Sequence, residues 1–209
     1  MKHTYLLLIL FLAACAPRYK GPISDHFNGK KFVNTGPAIE PKGGVFKWLF
    51  NRDKGPWLNT PDAQPGAKPQ TRVFGDSLVM TFVGHSSFLL QVDGLNILTD
   101  PVWSPRVGPF KWLGIKRGRP PGIRYEDLPP IDAVLLSHCH YDHLDLGTLR
   151  RLAKDFNPPM VTPLGVSYLP EKVGGNATRE LDWNDKLVLS DKLTITCTEA
   201  RHFSNRGAG

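Results

Sequence analysis

The run Ala133-Val134-Leu135-Leu136-Ser137-His138-Cys139-His140-Tyr141-Asp142-His143 decides how the rest of the chain is read. Asp132 to Ser137 has the composition of a strand buried on both faces. The residues after it, His138, His140, Asp142 and His143, stand at i, i+2, i+4 and i+5. Zinc takes three or four N, O or S ligands in a near-tetrahedral arrangement. A strand that ends in a tight loop delivers side chains at these spacings into one small volume. The two leading histidines are placed to grip one ion, and the Asp142–His143 pair faces a second. A disulfide at Cys139 would oppose that geometry, so Cys139 and Cys197 read as small buried thiols.

The pattern on either side supplies a scaffold. Leu78 to Val83, Ser87 to Val92 and Leu95 to Thr99 read as three antiparallel strands, turned at Gly84-His85 and Asp93-Gly94. Residues 101–130 read as one long loop rich in Pro, Gly and Arg. Asp145 can cap a helix whose apolar positions Leu146, Leu149, Leu152 and Ala153 fall at helical spacing. Short strands are expected again at Met160 to Thr162, Ala177 to Leu181, Lys186 to Leu189 and Leu193 to Thr198. Strand clusters with one or two helices laid against them make an α/β sandwich.

Two further histidines bear on the metal reading. His202, in Glu199-Ala200-Arg201-His202-Phe203-Ser204, lies just past a strand and is a fifth candidate ligand. His85 reads as a core or outer histidine that hydrogen-bonds near the site and not as a direct ligand. The basic loop residues Arg106, Lys111, Lys116, Arg117, Arg119 and Arg124 suit either an anionic head group or a solvated surface.

The N-terminus points to export. Lys2 precedes a nine-residue apolar run, Leu6 to Ala14, well short of the roughly 20 residues that span a bilayer. It matches the apolar core of a secretory signal. Leu12-Ala13-Ala14-Cys15 is similar to the bacterial lipobox, so residues 1–14 are expected to be removed and Cys15 acylated. Ala16, in place of aspartate, favours the outer over the inner membrane. The expected address is the bacterial cell envelope, with the chain held on the membrane by its lipid anchor. An arm follows from 15 to 70. Eight prolines and seven glycines between Pro17 and Gln70 forbid long helices or central strands there. Its rings, Phe27, Phe32, Phe46, Trp48, Phe50 and Trp57, are expected to pack onto the body formed by residues 71–209.

At 209 residues, with 41% hydrophobic and 22% charged, the chain suits one globular domain and not a disordered one. The net charge of +7 admits an anionic membrane, a phosphorylated substrate or nucleic acid. No aromatic-basic nucleic-acid module accompanies it, so no nucleic-acid partner is expected.

His138-Cys139-His140-Tyr141-Asp142-His143 resembles the HxHxDH signature of metallo-β-lactamase-fold hydrolases. Val83-Gly84-His85-Ser86-Ser87-Phe88, Leu98-Thr99-Asp100-Pro101-Val102-Trp103-Ser104, Leu128-Pro129-Pro130-Ile131-Asp132 and Ala200-Arg201-His202-Phe203-Ser204 narrow the resemblance. Together they are similar to the N-acyl-phosphatidylethanolamine-hydrolysing phospholipase D branch. The resemblance implies an αββα sandwich, here its N-terminal half plus the arm. It implies a zinc-dependent phosphodiesterase acting on N-acylated phospholipids. One zinc would sit on His138, His140 and His202 and the other on Asp142 and His143, with Asp142 also the proton acceptor. The family's pattern continues beyond His202 with a bridging carboxylate and a last histidine. The expectation for these 209 residues is therefore at most one tightly held zinc and little or no activity. The alternatives are an inactive metal-binding envelope lipoprotein, or a nuclease or other hydrolase of the same fold.

Overall fold

In a computed structural model the structure describes residues 19–37, 60–110, 112–175, 177–204 and 206. The apolar run at 6–14, Cys15 and the rings of Phe46, Trp48, Phe50 and Trp57 lie outside the described residues, as does Lys111.

Strands β1 (Leu78–Gly84), β2 (Ser87–Val92) and β3 (Leu95–Thr99) form the antiparallel unit that the alternating sequence predicts. Strands β6 (Ala133–Leu135), β7 (Met160–Pro163) and β8 (Thr178–Leu181) continue it in parallel, giving one six-stranded sheet in the order β1-β2-β3-β6-β7-β8. Helix α1 (Leu146–Asp155) and the single turn α2 (Tyr168–Glu171) carry the chain between the parallel strands. Parallel strands require such crossovers, because no short turn can reverse the chain twice.

The register explains the core. Leu89 pairs with Leu98, Leu98 with Val134, and Val134 with Met160, so four fully buried side chains form a row across the sheet. Leu149 and Leu152 of α1 and Leu169 of α2 share that cluster. Fully burying each such side chain is worth about 1.5–3 kcal/mol. On the other face, Ile97 and Ala133 line a groove with Leu187, Val188 and Leu189, from strand β9 (Lys186–Val188) and its exit. Strand β9 pairs with β10 (Thr194–Thr196) as a separate ribbon. Coverage of that face thins toward β1, whose Met80 and Phe82 stay 61% and 50% exposed.

Helix α1 begins where its cap predicts. The Asp145 carboxylate accepts from Gly147 N and from Thr148 Oγ1, and also from Ser104 N, which ties the helix start to the chain after β3. The 101–130 segment differs from the expected featureless loop. It holds a hairpin of β4 (Arg106–Phe110) and β5 (Leu113–Lys116), then a 3-10 turn at Tyr125–Asp127. The hairpin escapes a sequence reading because its strands are only five and four residues long and β4 carries both a glycine and a proline. It depends on Gly114, at φ +128°, where a Cβ would lie 2.1 Å from the Val107 carbonyl oxygen.

Part of the arm packs as expected. Phe27 is 2% exposed and meets Tyr19 edge-on, with ring centroids 4.9 Å apart. His26, also buried, stacks on Trp183 at 4.1 Å and bridges Asp25 (2.6 Å) and Asp182 (2.8 Å). Burial alone would lower its pKa, but those two carboxylates outweigh it and leave the pKa raised. Phe32 is more exposed, at 41%.

Candidate metal centre

The loop of residues 136–145 leaves the carboxyl end of β6, the edge of a parallel sheet where ligands gather. Leu136 N donates to Val161 O, and Leu144 is fully buried, so both ends of the loop are pinned to the core. Between them the chain alternates. Cys139 turns inward, buried against Ser204, with Sγ and Oγ 2.9 Å apart. His138 and His140, on either side of it, turn the other way and meet, with Nε2 and Nδ1 2.9 Å apart. His202 arrives from the segment after β10 and places its Nε2 3.3 Å from the same His140 Nδ1.

One ligand atom from each of His138, His140 and His202 lies within 4.8 Å of the others. Two nitrogens at about 2.0–2.1 Å from a tetrahedral ion are held a little over 3 Å apart. The donor set therefore fits a cation of that kind. Burial, then the neighbouring His143, His140 and His202, lowers the His138 pKa to about 4. His140 is lowered as well, by burial first and by His202 next. Both rings are neutral at pH 7, the form that offers a lone pair.

A second group adjoins the first. His85 Nε2 lies 2.9 Å from Asp142 Oδ2 and 3.3 Å from His143 Nε2. His85, Asp142 and His143 again keep one ligand atom each within 4.8 Å. His85 is thus not a core residue. Its side chain is 54% exposed at a turn with φ +54°, and its ring nitrogen points into the cluster. Its flanks Val83 and Phe88 belong to the strands, and His85 sits in the turn between them, in the outer of the two settings expected for it. Burial raises the Asp142 pKa, but a backbone hydrogen bond and the adjacent His143 and His85 outweigh it, so the carboxyl is held below its usual range.

Asp100 is the residue that the motif reading leaves without a role. It ends β3, is 5% exposed, and accepts from Ser137 N (2.7 Å) and Ser137 Oγ (2.6 Å). Its Oδ2 also lies 2.7 Å from His143 Nδ1. That contact fixes the tautomer that leaves Nε2 turned toward Asp142 and His85, as an outer carboxylate does for a ligating histidine. Arg206 braces the loop from behind. Its guanidinium donates to Cys139 O and Leu144 O and lies 4.3 Å over the Tyr141 ring. Arg117, grouped above with the basic loop, is an internal tie instead, with Nη2 donating to Val102 O at 2.6 Å.

The Beta-lactamase superfamily domain matches residues 95–209, more than half of the chain. The chain is 44% identical over 131 residues to an uncharacterized protein of Mycobacterium tuberculosis, covering 62% of this chain and 35% of that one. It is 36% identical over 140 residues to N-acyl-phosphatidylethanolamine-hydrolyzing phospholipase D 1 of Caenorhabditis elegans, covering 62% and 39%. A UPF0173 metal-dependent hydrolase of Pyrobaculum islandicum is 29% identical over 127 residues, covering 60% and 51%. The chain thus spans little more than a third of the length of the first two relatives.

Proposed function

The chain belongs to the Beta-lactamase superfamily, and from that premise we propose that it is a metal-dependent phosphodiesterase acting on phospholipids of the N-acyl-phosphatidylethanolamine kind. The observation that carries the reading is the convergence of His138, His140 and His202 beside His85, Asp142 and His143. Similarity to a phospholipase D of that specificity supports the choice of substrate.

In this reading His138, His140 and His202 hold the tighter zinc ion. Asp142 and His143, joined by His85, hold the second more weakly, because His85 and Asp142 are 54% and 45% exposed and water competes for them. Bound zinc supplies Lewis acidity and a water that ionises near pH 7. The protein supplies the rest. Asp142, ionised at neutral pH, is the proton acceptor, and Asp100 holds the His143 ring in place through Nδ1. The test uses the protein as its gene encodes it, dialysed and then reloaded with zinc. It should keep one zinc equivalent through dialysis and release phosphatidic acid from an N-acylated phospholipid. Two equivalents surviving dialysis would refute the weaker second position, and a metal-loaded protein inert on that lipid would refute the substrate.

The same reading places the protein on the outer membrane through acylated Cys15, on the strength of Leu12-Ala13-Ala14-Cys15. Cys15→Ala should abolish labelling by a palmitate analogue and leave a heavier precursor. A mature mass identical to that of the unsubstituted protein would rule the anchor out.

A further inference from the structure

The β4–β5 hairpin stands apart from the six-stranded sheet and carries no part of the metal cluster. Toward its tip it leaves large apolar side chains in solvent. Trp112 is 74% exposed and Phe110 47%, their rings stacked at 5.5 Å and only 10° from parallel, while Ile115, 77% exposed, pairs with Val107 beside the base. Its base is basic. Arg106 and Lys116, both exposed, are cross-strand partners, two like charges held opposite each other. In water that pairing destabilises a hairpin. From residue 101 to residue 125 the sequence has six Lys or Arg and no Asp or Glu.

Each half of this arrangement is unfavourable in water and favourable at one kind of surface. An anionic bilayer accepts the Phe110 and Trp112 rings among its upper acyl chains and sets phosphates opposite the Arg106–Lys116 pair. Tryptophan prefers the head-group level. The register from Arg106↔Lys116 to Phe110↔Leu113 spans four residues, about 13 Å of strand. That is enough to keep the collar at the phosphates while the tip enters by about 5–10 Å, as interfacial elements do. Single-stranded nucleic acid would answer the charge and the rings. It would leave Ile115 uncovered, and one face of each ring is already taken by the other.

We propose that the β4–β5 hairpin is a membrane-docking element, in which Phe110 and Trp112 insert into an anionic phospholipid surface below a collar of Arg106 and Lys116, with Ile115 at the level of the collar. It operates whatever the substrate is, and independently of any acyl chain on Cys15.

The test uses the full chain carrying Cys15→Ala, so that acylation contributes nothing. Vesicles of phosphatidylcholine, alone or mixed with phosphatidylglycerol, carry brominated acyl chains that quench tryptophan at short range. On the mixed vesicles the emission should be quenched, and Trp112→Phe should remove most of the quenchable signal. The double variant Arg106→Gln/Lys116→Gln should lower partitioning onto the mixed vesicles about thirtyfold and weaken its dependence on salt. Quenching unchanged by Trp112→Phe overturns the proposal, even if another segment holds the chain on the vesicle. Equal partitioning of the charge variant overturns it too, as does binding to a single-stranded oligonucleotide without binding to vesicles.

Discussion

Replacing His140 with alanine should abolish the tight metal binding proposed for the three-histidine group. His140 is the shared neighbour in the three-histidine group, since its Nδ1 lies 2.9 Å from His138 Nε2 and 3.3 Å from His202 Nε2. Removing an outer partner of a ligand lowers metal affinity by about 10–100-fold. Removing the ligand itself, and leaving two histidines where three or four donors are needed, should exceed that range. The fold should survive, because His140 is only half-buried and the loop is anchored by Leu136 and Leu144. Zinc content after dialysis and the thermal shift on adding zinc are the measurements. A variant that retains stoichiometric zinc would show that His138 and His202 belong to separate sites.

Asp100→Ala should harm both stability and metal binding. The carboxylate is buried and is the acceptor for Ser137 N, for Ser137 Oγ and for His143 Nδ1. A donor left without a partner costs about 1–3 kcal/mol when buried, and since Ser137 is exposed and His143 half-buried a loss of about 1–3 kcal/mol in all is expected on chemical denaturation. Alanine must also adopt φ +38°, a conformation that aspartate tolerates better. Asp100→Asn separates the two effects. Its amide oxygen can still accept from Ser137, whereas its NH2 meets the His143 N–H donor to donor. The asparagine variant should therefore regain much of the stability while metal affinity stays about 10–100-fold down. If both variants bind zinc as well as the unsubstituted protein, Asp100 is a structural residue alone.

What the sequence reveals here follows the range of the interactions. The β1–β2–β3 unit is legible because its alternation and the Asp93-Gly94 turn are local, and α1 because Asp145 and the Leu149–Leu152 spacing are. The single turn α2 is not, being four residues long and containing Pro170. The meeting of His138 and His140 is written in a spacing of two. Asp100 acts on Ser137 across 37 residues, and nothing near it in the chain announces that. For His85 the sequence leaves open a core position or an outer one that hydrogen-bonds near the site, and the three-dimensional turn selects the second, exposed and aimed at Asp142.

The 62-residue step from His140 to His202 would give a bound metal a mechanical meaning as well as a chemical one. An ion gripping both ends closes that span as a cross-link, and closing a loop of this size removes about 4 kcal/mol of chain entropy from the unfolded state. The β9–β10 ribbon lies inside the loop, along with α1, β7 and β8. Zinc would then serve as a clasp for the C-terminal half of the sheet. A chelator would loosen the architecture together with the chemistry, making metal supply a determinant of how long the folded protein lasts.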